Sequence, residues 1–180
     1  ESLRAVVVPG RAVGIVYRHG AKIWVGWLKL DGTVMLAAEV VRGTGRKVGK
    51  PMLAASGGQA VLVFANLPKD EDAAKEVRWV VGGVGGSLAE SEVVKLPKGG
   101  PGGDAIAPAV ASMADGRWIL MWTEGRSGNR VLRAQTYDAA FRTLGDALRV
   151  SPGTGNFGQG TVGVSSTRAA VAFLLSRGRG

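Results

Sequence analysis

Residues 111 to 152 read ASMADGRWILMWTEGRSGNRVLRAQTYDAAFRTLGDALRVSP. The stretch opens near a turn pair, Asp115-Gly116, and runs into five mostly apolar residues, RWILM, ahead of Trp122. A second run, VLRAQTYDAAF, occupies 131 to 141, and a third, ALRVS, occupies 147 to 151. Residues two apart share a face of a strand, so short runs of this kind separated by turn residues predict antiparallel strands.

The same phrase recurs along the chain. AVGIV precedes Tyr17, QAVLV precedes Phe64 and RAAVA precedes Phe173, which sets the four aromatics 47, 58 and 51 residues apart. Each approach follows a turn-like pair: Gly10-Arg11, Gly57-Gly58, Asp115-Gly116 and Ser166-Thr167. IWVGWLKLDGT at 23 to 33 and VRWVVGGVGGS at 77 to 87 match the second run. Aligned on Leu30, Val84 and Tyr137, they place Val25, Trp79 and Leu132 at one position and Trp27, Val81 and Ala134 at another. AEVVR and SEVVK match the third run, and LRAVVV, MLAAS, PAVAS and TVGVS precede the four aromatic segments.

Each unit therefore reads as four short strands. EDAAKEVRW at 71 to 79 lacks apolar residues at helical spacing and reads mostly as an exposed hairpin loop. Four-stranded units at this period suit blades, each burying its faces against its neighbours. A long sandwich or irregular barrel is the alternative. The expected fold is all-β, a β-propeller-like array of four-stranded antiparallel blades with about three and a half repeats. It forms a single domain over residues 1 to 180, with blades at about 3–45, 50–98 and 105–157 and a partial one at 159–180.

The stretch from 111 to 152 resembles the repeat of large bacterial surface and secreted proteins: Asp-Gly, an aromatic-rich strand, Trp, Gln-x-Tyr-Asp, Gly and Val-Ser. The residues that carry it are Asp115, Gly116, Trp118, Trp122, Gln135, Tyr137, Asp138, Gly145, Val150 and Ser151. The resemblance covers about a quarter of the chain, and the other units keep only the strand rhythm. It implies a blade-like module outside the cytoplasm, secreted, periplasmic or on the cell surface, and no activity.

Composition agrees with a folded, turn-rich chain. Glycine takes 29 of 180 positions but is scattered among apolar runs, as turn glycines are. With 46% hydrophobic residues the chain can offset its ordering entropy. No apolar run is long enough to span a bilayer, and ESLRAVVVPG has neither the basic start nor the cleavage site of a signal peptide. There is no cysteine, hence no disulfide framework or cysteine-based site. A start at Glu1 and an unfinished last repeat point to a fragment or processed piece of a longer polypeptide.

The chemical motifs are thin. Gly153 to Gly158 matches GxGxxG, but a strand-like QGTVGVSST follows, and no acidic residue occurs after Asp146. A glycine-rich loop accounts for it better than a pyrophosphate site. Ser112 to Trp118 is similar to the Asp-box of sialidase-type propellers with its spacing off by one residue, and that box is structural. Asp31, Asp138 and Glu124 are scattered, without the facing pair that glycoside hydrolysis needs. His19 is the only histidine and sits beside a turn glycine. The run Lys69-Asp70-Glu71-Asp72 lacks the ligand spacing of a calcium loop. No catalytic residue, metal site or cofactor is expected.

Charge carries the functional expectation. The net charge is +9. Residues 1 to 50 hold nine Lys or Arg against three acids, and 151 to 180 hold three Arg against none. In a propeller the first and last blades are neighbours, so these excesses would merge into one basic sector with Arg42, Arg46, Lys47, Lys50, Arg177 and Arg179. Trp24, out of phase with Val25 and Trp27, is the candidate exposed aromatic. These features predict a non-catalytic structural or interaction module. Its basic sector would meet an acidic partner, and another chain or a second copy would complete the partial fourth blade at 169 to 176. A lectin-like propeller that binds a carbohydrate or polyanion is the alternative.

Overall fold

The computed structural model describes residues 2–41, 47–68, 73–88, 92–93, 103–158, 160–165 and 168–176. Of these, 66% are strand and none is helix. The first sheet consists of β1 (Ser2–Val8), β2 (Ala12–His19), β3 (Lys22–Leu28) and β4 (Val34–Val40), antiparallel and paired in chain order. The third repeats it with β10 (Ala105–Ser112), β11 (Trp118–Arg126), β12 (Asn129–Tyr137) and β13 (Thr143–Arg149).

Between them lies the second sheet. Its inner edge is interrupted: β5 (Lys47–Val48) and β6 (Met52–Ser56) both pair with β7 (Gln59–Leu67), which continues to β8 (Glu76–Gly83) and β9 (Glu92–Val93). The chain closes with two short pairs, β14 (Asn156–Phe157) with β17 (Leu175–Ser176) and β15 (Thr161–Val164) with β16 (Ala169–Ala172).

Alternation along the strands decides how the sheets stack. On β7, Leu62 and Phe64 join Val16, Ile23, Val25 and Trp27 of the first sheet in one core. Val61 and Val63, on the opposite face, join Trp118, Leu120 and Trp122 of the third sheet in another. On β11 the alternate residue Met121 meets Val162 and Phe173 of the last pairs. The second and third sheets are thus each sandwiched between neighbours, with inner strands β1, β6, β10 and β15 adjacent in turn. Trp27 anchors the first contact, its indole N–H donating to the Gly86 carbonyl (3.1 Å). The Glu39 carboxylate adds a second tie by accepting from the Leu88 N–H (2.8 Å) and the Ser87 hydroxyl (2.7 Å).

The motif that carried the resemblance has a structural explanation. Asp115 accepts from the Arg117 N–H (3.1 Å) across a turn whose Gly116 has φ of 84°, and this turn delivers Trp118 into the core. The Gln135 amide donates to the Gly145 carbonyl (2.9 Å) where β12 and β13 slip register, which pins the outer strand. Tyr137 stacks on Phe141 (4.4 Å between centroids) and Asp138 caps the turn between them, accepting from the Ala140 and Arg142 N–H groups. Burial pushes the Tyr137 hydroxyl up to about 12. Ser151 accepts from the Leu132 N–H and donates to the Gly153 carbonyl, closing the unit.

Candidate functional site

The inner strands break at one recurring level. On the second sheet, Met52 pairs with Val63 and the Gly49 N–H donates to the Ala65 carbonyl, so Lys50 and Pro51 bulge opposite Phe64. On the third, Ile106 pairs with Thr123 and Ala109 with Met121, so Ala107 and Pro108 bulge opposite Trp122. Between β14 and β15 the pairing is again interrupted opposite Phe173. Proline has no N–H to give a ladder, which is why it is tolerated on an inner edge at a bulge. Ala107 adopts φ of 53°, unusual for a residue with a Cβ. Bulges and left-handed non-glycine residues gather where a fold re-aims side chains for function.

A cavity of about 550 Å³ opens among these inner strands, within the usual range for small-molecule sites. Arg4 of the first sheet, Lys50 and Met52 of the second, and Thr161 and Phe173 of the last pairs line it. Gly160 lets the wall close up: a Cβ there would run into Met121 and come within 2.9 Å of the Ala172 carbonyl oxygen. Phe173 is braced edge-on by Phe157 (5.3 Å between centroids). Among the described residues the lining holds two cations, one hydroxyl and one aromatic ring, and no carboxylate.

A second charged cluster sits at the junction of the second and third sheets. Asp104 accepts from the Lys75 ammonium (2.6 Å) and the Lys75 N–H (3.0 Å), with Arg130 at 3.9 Å. Partial burial alone would raise its carboxyl, but the Lys75 hydrogen bonds and both cations outweigh this and hold it below the usual carboxylate value. On the neighbouring strand Glu124, 1% exposed, has Arg133 Nε at 3.6 Å. That is ion-pair range but beyond a hydrogen bond, and both Glu124 oxygens lack a hydrogen-bond partner. Among the described residues no three of His, Cys, Asp or Glu stand together as a metal cluster.

The sequence-predicted residues divide. Lys50 lines the cavity, whereas Lys47 is exposed on β5 outside it. Arg42, Arg46, Arg177 and Arg179 lie outside the described residues, and with them the expected merged basic sector. Trp24 is half-buried, stacked on Tyr17 instead of standing free. Arg4 was not singled out, and neither were the Lys50-Pro51 and Ala107-Pro108 bulges. The readable signal was an X-Pro pair at the head of MLAAS and PAVAS, the same place in two repeats.

The chain matches solved structures across most of its length. A Penicillium chrysogenum alpha-L-arabinanase complexed with arabinobiose aligns at TM-score 0.58 and 13% identity, covering 94% of this chain and 57% of that one. These matches are to five-bladed propellers. The fold is a β-propeller. A Xanthomonas citri GH43_1 enzyme complexed with xylotriose aligns at TM-score 0.51 and 17% identity, over 82% of this chain and 54% of that one. A GH43 beta-xylosidase/alpha-arabinofuranosidase from a compost microbial metagenome aligns at 0.50 and 13%, over 83% and 58%. The propeller described here thus spans a little over half the length of each. No protein-family model and no curated protein matches the sequence.

These neighbours correct the functional expectation. A non-catalytic module, with a lectin-like propeller as its alternative, does not stand, because the structures that share the fold are glycoside hydrolases. The expectation failed for a physical reason. It discounted Asp31, Asp138 and Glu124 as scattered, whereas inner strands from different blades converge on a common cavity, so a propeller site is assembled from residues far apart in sequence.

Proposed function

We propose that the chain is part of a carbohydrate-active propeller of the glycoside hydrolase kind, with its sugar site in the axial cavity. The observation that carries this reading is the cavity lined by residues of the first, second and last sheets, with Lys50 of the second sheet's bulge on its wall and the third sheet's inner strand interrupted at the equivalent level. The fold shared with hydrolases over 94% of the chain supports it. Glycoside hydrolysis uses two carboxylates about 5–10 Å apart flanking the bond. The described lining contributes none, so Arg4, Lys50, Thr161 and Phe173 are assigned to binding and orientation. Cations fix an oxygen-rich ligand, the hydroxyl donates or accepts, and the ring packs on an apolar sugar face.

The test is a panel of arabino- and xylo-oligosaccharides and acidic oligosaccharides, scored for binding by calorimetry and for release of reducing ends. Binding of any of them, lost on Phe173→Ala with the fold retained, is expected. No binding across the panel overturns the reading. Work on polymeric glycans goes with a place outside the cytoplasm, and fractionation of the source cells tests that. Among the described residues no helix is long and apolar enough to cross a membrane.

We further propose that strands from another chain or a second copy extend the last blade beside 169 to 176, where Leu174 is 73% exposed. Cross-linking followed by mass spectrometry is expected to recover peptides joined to this segment. A solvated monomer edge overturns the proposal.

A further inference from the structure

We propose that the axial cavity selects an acidic oligosaccharide, its anionic group held between Arg4 and Lys50; this rests on the carbohydrate reading above. The two cations reach the cavity by independent routes. Arg4 pairs with Val16, whose side chain is buried against the second sheet, so Arg4 projects to that side of β1. Lys50 stands in the bulge ahead of β6, where strand alternation no longer dictates its direction.

Neither cation has an ion-pair partner among the described residues, in contrast to Lys75, Arg78, Arg117, Arg133 and Arg142, each of which meets a carboxylate. Both are solvent-exposed residues of the lining, so water screens their repulsion in the free protein, and a bound anion is attracted by both. A guanidinium fork and an ammonium lining one cavity suit a sugar carboxylate or sulfate ester, through charge-assisted hydrogen bonds that a neutral sugar cannot make. Thr161 and Phe173, in the same lining, then meet the hydroxyls and the apolar face of the same residue. A neutral oligosaccharide fits the space but leaves the two charges uncompensated.

The experiment compares an oligogalacturonate, its methyl ester and a sulfated oligosaccharide by calorimetry, using the full polypeptide, with xylotriose as the neutral reference. Expected is a preference of about tenfold or more for an acidic ligand over the methyl ester, weakening as salt rises. The two acidic arms show which anion is preferred. Arg4→Gln and Lys50→Gln should each remove most of the preference, weakening the acidic ligand far more than xylotriose, with the melting temperature unchanged. Lys47→Gln, on exposed β5, should leave it intact. Equal binding of acid and ester, or equal loss in Lys47→Gln, overturns this inference and leaves the carbohydrate reading standing. Failure of every sugar to bind overturns both.

Discussion

Tyr17 and Trp24 stack with ring planes 2° from parallel and centroids 6.1 Å apart, on the face of the first sheet that no described sheet covers. Their counterparts explain why the pair is only half-buried. Tyr17 faces Trp24 across β2 and β3, as Phe64 faces Arg78 and Trp122 faces Arg133 in the following sheets. Phe64 packs against the first sheet and Trp122 against the second, both at 0% exposure. Tyr17 points to the side where a preceding blade would lie. Leu3 and Val7, on the same face, are 67% and 64% exposed.

Position for position, the cost of truncation should follow coverage. Trp122→Ala empties a closed inter-sheet core and is expected to cost about 3–5 kcal/mol. Tyr17→Ala loses mainly its stacking and partial burial, roughly 1 kcal/mol. Urea unfolding of the two variants checks this, and equal losses would mean that the Tyr17 face is covered in solution.

Gly14 and Gly163 should respond oppositely to the same substitution. A Cβ at Gly14 would come within 2.7 Å of the Trp27 ring and 2.8 Å of Leu53. Gly14→Val should therefore overpack the first interface, at about 1–3 kcal/mol. At Gly163 nothing lies within 4 Å, so Gly163→Val, on a strand, should be neutral or mildly stabilising. Thermal melts of both variants decide the matter.

Much of the fold was legible because alternation and turn chemistry are local. RWILM before Trp122 and QAVLV before Phe64 did become second strands, and the turn at Asp115-Gly116 formed as its residues dictate. The alignment of Leu132 with Val25 and Trp79 shows the limit of that signal. The partners of Trp122 and Phe64 make Ala134 the true equivalent, two residues on, and a period of two cannot detect a slip of two. The cavity was not legible, because Arg4, Lys50 and Phe173 meet only through the stacking order of the blades. Glu124 was read as one of several scattered acids. Nothing local marks it as buried, and its Arg133 neighbour comes from strand pairing.

Acid should weaken the second and third sheets' junction through Asp104. Its carboxyl sits below the ordinary value when folded, so the folded protein holds that proton less tightly than the unfolded chain. The stabilisation is therefore complete above about pH 4 and is lost as pH falls through the lowered value. Asp104→Asn removes it, so the stability gap between wild type and variant should be constant near neutrality and close in acid. Asp115 and Asp138 are lowered in the same sense and remain in both proteins, which makes the gap the diagnostic quantity. A gap that widens in acid would contradict the assignment.

The Glu124 and Arg133 pair should behave as a buried charge pair whose members cannot be removed singly. Glu124 is enclosed between the second and third sheets, and with no hydrogen bond to either oxygen it depends on Arg133 for compensation. Arg133→Met strands the carboxylate and is expected to cost about 3–5 kcal/mol. Removing both charges as Glu124→Leu with Arg133→Met replaces a poorly hydrogen-bonded pair by apolar volume beside Trp122, and should recover most of that loss or exceed wild-type stability. The double-mutant cycle, measured by denaturant unfolding, should thus give a coupling of several kcal/mol. Additive losses would show that the two side chains do not act on each other, and that another group neutralises Glu124.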